Sequence, residues 1–161
     1  HMARALIDNG NLELADSIIG ISEYTDPKGS LRAQLSVAFL KEGNEEKASE
    51  NARIALEAYN MEDAGSFIAW LVLKYLQPVS NLLPSGEIQN AIVKSNRALA
   101  DKDQLVDVFE VVTRTLAART LAAYGDAGSA LELVRKHIPE DELFGALVGI
   151  ASAMQERAGE N

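Results

Sequence analysis

The sequence predicts an all-α fold of antiparallel helical hairpins stacked in a row, about nine helices in all. Three observations predict it. A six-residue phrase, Gly-Asn/Asp-x-x-x-Ala, occurs three times, at Gly10–Ala15, Gly43–Ala48 and Gly125–Ala130. The first two copies begin 33 residues apart and the last two 82 apart, room for roughly two more units. Apolar residues recur every three or four positions on either side of each copy, and no alternating strand pattern or hairpin signal occurs. A period of this size marks a solenoid, in which each helix pair buries its apolar face only against its neighbours.

Each element has a local reason. Ala3–Asn9 reads as a short helix stopped by Gly10. Leu12–Glu23 follows, with Leu12, Ala15, Ile18, Ile19 and Ser22 on one face. Asp26-Pro27-Lys28-Gly29-Ser30 reads as a turn with Ser30 as N-cap of the next helix, Leu31–Glu42. Gly43 ends that helix in the left-handed conformation, and Asn44 caps Glu45–Tyr59, whose first turn carries two acids suited to the helix dipole. Asn60–Asp63 reads as a break. Ala64–Leu76 is apolar around most of its circumference, as a helix buried on several sides would be.

Pro78, Pro84 and Gly86 make Gln77–Gly86 read as a loop longer than the other connections. Glu87–Ala100 follows, with Ile88, Ala91, Ile92, Ser95 and Leu99 as its inner stripe. Asp101–Asp103 reads as a tight charged turn. Gln104–Tyr124 is expected to be the longest helix, with Leu105, Val108, Phe109, Val112, Leu116 and Leu121 along it. Ala127–His137 and Glu140–Arg157 complete the series, with Pro139 in the first turn of the last helix, where its missing N–H costs nothing. His1 and Met2 read as a cloning remnant. The remainder, 3–161, reads as a single helical-repeat domain.

Composition narrows the function. Aromatic residues are only 6%, while Ala and Leu abound, which favours closely packed helices. Net charge is 15 − 24 = −9, so phosphate counterion release has little to work with and no nucleic-acid partner is expected. The chain has no cysteine, which removes disulfides, thiolate metal sites and cysteine nucleophiles. Its longest apolar runs, such as 67–73, are too short for a bilayer, so no membrane partner is expected and a cytoplasmic location is the default.

The stretch Leu35–Asn60 resembles a tetratricopeptide repeat, through Leu35, Ser36, Phe39, Gly43, Ala48 and Ala55. Small residues occur where two helices nearly touch. The first unit is similar from Gly10 onward, with Pro27 at the family's helix-ending proline and Asn60 at that point in the second unit. The fourth is similar through Ala118, Leu121, Gly125 and Ala130. The third unit departs, because the Pro78–Gly86 loop replaces its glycine turn. A HEAT-like array of helical hairpins is the alternative. The resemblance implies a right-handed solenoid whose concave groove is lined by the first helix of each unit. An abbreviated first helix and a final Ala151–Gly159 stretch like the start of a fifth unit lead to the expectation that the chain is a segment of a longer repeat protein.

Catalysis has little to stand on. Apart from His1 the only histidine is His137, near Glu140, Asp141 and Glu142 but without metal-ligand spacing, and it reads as a local ion pair or solvated turn. No nucleophile elbow, phosphate loop or zinc helix occurs. The chain is therefore expected to be non-catalytic, with no cofactor and no metal. Its expected role is an interaction scaffold that binds a peptide or helix of a partner protein. A structural role is the alternative, with the repeats packing on their own polypeptide or self-associating through the apolar third unit.

For the binding surface, Arg32, Gln34, Thr115 and Arg119 are the polar groove candidates. Phe67, Trp70 and Lys74 form an aromatic and basic trio on one helix. That trio reads either as a binding anchor or, as the spacing favours, as core packing with the lysine reaching water. Family members that grip a terminal carboxylate use Lys and Asn where Ala33 and Val37 stand here, which argues against that mode.

Overall fold

The computed structural model of the chain describes residues 2–21, 28–61, 63–84, 86–100 and 108–159. Among these, all regular structure is helical, and no strand occurs. In order, the α-helices are α1 (Met2–Asp8), α2 (Leu12–Ile21), α3 (Lys28–Lys41), α4 (Glu45–Asn60), α5 (Phe67–Leu76), α6 (Glu87–Ala100), α7 (Val108–Ala123), α8 (Ala127–His137) and α9 (Glu140–Gly159).

The repeated phrase makes one and the same turn three times. Gly10, Gly43 and Gly125 have φ of +75°, +78° and +94°, the left-handed region that glycine enters without a Cβ clash. At each, the glycine N–H reaches back to one carbonyl and the next N–H to the carbonyl before it. The pairs are Gly43 N to Leu40 O and Asn44 N to Phe39 O, both 2.9 Å, with matching pairs at Gly10-Asn11 and Gly125-Asp126. This closes the carbonyls of one helix. The side chain of the following residue then opens the next helix. Asn44 Oδ1 accepts from Lys47 N at 3.1 Å and Asp126 Oδ1 from Ser129 N at 3.0 Å. Two residues thus end one helix and start another, which forces a sharp reversal.

Several boundaries differ from expectation for local reasons. Ser30 is not an N-cap: α3 already begins at Lys28, and Gly29 and Ser30 are buried inside it. A Cβ on Gly29 would lie 3.0 Å from Val72 Cγ2 and 3.2 Å from Ala58 Cβ, so this glycine lets α3 approach α5 and α4. The expected turn residues Asp26 and Pro27 lie outside the described residues, as do 101–107. α5 begins at Phe67 and not at Ala64, because Ser66 Oγ accepts from Ala69 N at 3.1 Å and sets the start. The expected loop over 77–86 is in part a 3-10 turn, Gln77–Leu82, entered through Pro78. Pro139 precedes α9 and lies outside its first turn. The longest described helix is α9, at 20 residues, against 16 described in α7.

Packing follows a simple order. α1, α3, α5, α7 and α9 pack each on the next, and α2, α4, α6 and α8 each pack on the helix before and the helix after them in sequence. The α3–α4 contact is the most extensive, with Ser36 Oγ donating to Ala48 O at 2.5 Å across it. The α5–α6 contact is slight, since the 3-10 turn stands between them and packs on α3, α4 and α5. Two apolar clusters result. One gathers Leu12, Ile19, Leu35 and Phe39; the other runs from Ala52 and Tyr59 through Trp70 and Leu73 to Leu121, Val134 and Ile150. Leu40 and Leu82 touch both.

Of the apolar residues along α7, Leu121 is buried and Leu116 packs on the core, but two others face solvent. Phe109 is 63% exposed and Val112 is exposed, whereas Thr113, Arg114, Ala117, Ala118, Thr120, Leu121 and Ala122 are buried. Close approach by α5, α8 and α9 on three sides selects the small residues and turns the larger apolar ones outward. Arg114, 3% exposed, is accommodated because its guanidinium forms an ion pair with Glu110 one turn earlier.

Candidate functional site: a groove across the odd-numbered helices

A concavity of 560 Å³ crosses the five odd-numbered helices. Each odd-numbered helix contributes residues from its later part. α1 gives Ile7 and Asp8; α3 gives Gln34, Val37, Ala38 and Lys41; α5 gives Lys74 and Tyr75, followed by Gln77 and Pro78 of the 3-10 turn. α7 gives Arg119, Thr120 and Ala123, and α9 gives Ala153 and Glu156. Between the charges the lining is mixed, apolar or small at Ile7, Val37, Ala38, Pro78, Ala123 and Ala153 and polar at Gln34, Gln77 and Thr120, and the charges stand one to a helix.

The charges have an order. Across α1, α3, α5, α7 and α9 they read Asp8, Lys41, Lys74, Arg119 and Glu156, so three cations occupy the middle and an acid stands at either end. Asp8, Lys41 and Lys74 are spaced by 33 residues, and the first two each lie two positions before a turn glycine. Among the described residues, Lys41, Lys74 and Arg119 have no carboxylate partner. Lys74 Nζ lies 5.4 Å from the centre of the Tyr75 ring. Arg119 lies along α9: a Cβ on Gly149 would come within 2.8 Å of its Cδ and 3.0 Å of its Cγ. Glycine at 149 thus makes room for the arginine stem.

Of the seven residues expected at a binding surface, the structure brings three together in this groove: Gln34, Lys74 and Arg119. The others stand elsewhere. Arg32 is mostly buried on the far side of α3, paired with Asp16 of α2 and donating to Asn51 Oδ1 of α4 at 2.8 Å. Trp70 is wholly buried and offers a partner no surface; its neighbours in the apolar cluster include Tyr59 and Leu73. Phe67 packs on Phe109, with ring centres 5.7 Å apart. Thr115 is half-buried on α7, away from the groove lining. The helix that carries the trio has one exposed member of it, Lys74, because α3, α4 and α7 cover the rest of α5.

Asp8, Lys41, Tyr75 and Glu156 were not among the expected residues. The signal that points to the first two is positional: each stands two residues before its glycine, in the last turn of its helix and on the same side. Lys74 repeats that register one period later.

His137, in the last turn of α8, is half-buried beside Asn96, Glu132 and Lys136. Burial lowers its pKa, and the nearby Arg114 and Lys136 charges lower it further against a smaller opposing effect of Glu110. It is therefore held toward its neutral form, unlike the dipole-complementing cation that its position suggests. No cluster of three or more His, Cys, Asp or Glu side chains placed to hold a metal occurs among the described residues, and no described helix is long and apolar enough to cross a membrane. No family model, curated protein or solved structure matches the chain.

Proposed function

We propose that the chain is a non-catalytic interaction module: a tetratricopeptide-like, right-handed solenoid whose groove holds a peptide or helix of a partner protein. One observation carries the reading. Five helices far apart in sequence, α1, α3, α5, α7 and α9, line one continuous concavity of mixed apolar and polar lining with exposed charges. A groove of this volume and composition suits a short chain segment, with apolar pockets for side chains and charges that fix orientation. Further support comes from the repeated turn at Gly10, Gly43 and Gly125 and from the stacking of each odd-numbered helix on the next.

The test is selection of peptides from a random library on the immobilised chain, followed by the same selection on Val37→Trp. Val37 lies on the groove floor, so an indole there fills it. Loss of the selected peptides with unchanged melting supports the module. Equal capture by both proteins removes the groove from consideration.

A second reading, a structural module that packs on other copies or on its own polypeptide, is favoured by one observation. α9 leaves Phe144, Leu147, Val148 and Met154 exposed along its length, Phe144 at 79%. The apolar third unit is a poorer candidate for that contact, since Ala69, Trp70, Val72, Leu73 and Leu76 of α5 are already buried. Sedimentation velocity across a concentration series separates the two readings: size that grows with concentration, and is reset by Phe144→Ser, favours the second.

A further inference from the structure

The charge order of the groove points to one class of occupant. We propose that it binds an acidic segment of a partner protein, an inference that rests on the groove reading above. The chain as a whole is strongly acidic, 24 carboxylates against 15 basic side chains, yet the middle of its groove is lined by three cations in a row. They come from three successive helices, α3, α5 and α7, and face one shared concavity.

Among the described residues, some basic side chains elsewhere on the surface meet acids of their own chain, Arg4 with Asp8, Lys47 with Glu13 and Arg53 with Glu57, and others, such as Lys94 and Arg135, do not; what sets the groove apart is that three cations face one concavity. Lys41, Lys74 and Arg119 have no such partner among the described residues. Moreover, Gly149 leaves room on α9 for the stem of the exposed Arg119.

The ends matter as much as the middle. Glu156 stands beyond Arg119 at one end of the row, and Asp8, paired with Arg4, beyond Lys41 at the other. An acidic run that extended past the three cations toward α9 would meet like charge, so the best segment keeps its acids in the centre. The remaining negative charge of the chain acts over longer distances, where salt at physiological strength screens it beyond about 8 Å. Contact with the three cations is not screened in that way.

A purely structural role for two of these cations exists. Lys41 and Lys74 stand in the last turns of α3 and α5, where a positive charge complements the helix dipole. The two roles differ in what they move: a dipole role alters melting and leaves ligand capture unchanged.

The experiment uses the whole chain and three synthetic peptide pools of about ten residues each, random in sequence but held near net charge −3, 0 or +3. Affinity selection with mass-spectrometric readout reports what is retained. Retention chiefly from the acidic pool is expected, weakened about tenfold or more by each of Lys41→Glu, Lys74→Glu and Arg119→Glu and unaffected by Arg135→Glu on the exposed side of α8. The neutral set Lys41→Gln, Lys74→Gln and Arg119→Gln repeats the test should a reversed charge disturb folding. Retention from the neutral or basic pool that Val37→Trp abolishes overturns the acidic preference and leaves the groove reading standing. Retention that no groove substitution alters, or no retention from any pool, overturns both.

Discussion

The aliphatic stem of Arg119 lies across the backbone of Gly149, so that α7 supplies the charge and α9 the space for it. Adding a methyl at 149 removes that space. Because Arg119 is exposed and can swing away, Gly149→Ala is expected to raise stability modestly, by up to about 1 kcal/mol, through better helix propensity. It is also expected to displace the guanidinium from the groove. Thermal melting and capture of the acidic peptide pool, measured on the same sample, should therefore move in opposite directions. A fall in both would mean that Arg119 is fixed more firmly than its exposure suggests.

Arg32 joins three helices through Asp16 and Asn51. Asn51 is 1% exposed and its amide nitrogen already donates to Lys47 O at 3.0 Å, so loss of Arg32 leaves a buried acceptor unmatched. Arg32→Ala should cost about 1–3 kcal/mol in urea unfolding, and Asp16→Asn clearly less, because Asp16 is the more exposed partner. Equal costs would place the importance in the ion pair and not in Asn51.

Ala48 is fully buried between α3 and α4, and its carbonyl accepts from Ser36 Oγ. Ala48→Leu should therefore destabilise by roughly 1–3 kcal/mol, since the extra volume must separate two helices already in contact. Ser36→Ala, which removes the hydroxyl while keeping the size small, should cost about 1 kcal/mol. A chemical denaturation midpoint unchanged in Ala48→Leu would show that the interface opens without penalty.

The lowered pKa of His137 predicts the sign of one pH dependence of stability. Its folded pKa is lowered from the ordinary 6.5, by burial first and then by Arg114 and Lys136, with Glu110 opposing. The unfolded chain therefore takes up the proton more readily, and stability falls as pH drops through about 6.5 toward the folded value, then levels off. His137→Gln should flatten that part of the stability curve between pH 7 and pH 5, as followed by urea titration. An unchanged slope would assign the dependence to the carboxylates.

The local parts of the fold were legible in the chain, and the shared parts less so. A glycine followed by Asn or Asp carries its meaning in itself: the left-handed φ at Gly43 and the cap at Asn44 depend on a few neighbouring residues. The inner stripe of α6 was readable for a similar reason, since one wide apolar face meets one side of the protein. α7 was not, because three helices crowd it and small size there outranks hydrophobicity, so Phe109 and Val112 turn out while Thr113 and Arg114 turn in. Gly29 and Ser30 read as turn residues, yet close approach of α5 makes them helix interior. The groove was half legible. Lys74 and Arg119 stand out as charges on apolar helices, but the row they complete needs the stacking order of helices up to 45 residues apart, which no local pattern holds.

Leu40 and Leu82, which touch both apolar clusters, bear on how the protein comes apart. An array joined only through nearest neighbours can fray from either end while the rest stays intact. Here the segment from Gln77 to Leu82 reaches back to α3 and α4, so losing the first helices strips cover from the centre. The chain carries a single tryptophan, Trp70, in the larger cluster, so its fluorescence reports that cluster alone while circular dichroism reports all helices. The two signals should follow one common unfolding curve, and Leu82→Ala should pull them apart. The irregular turn in the middle is thus expected to couple the unfolding of the helices on either side of it.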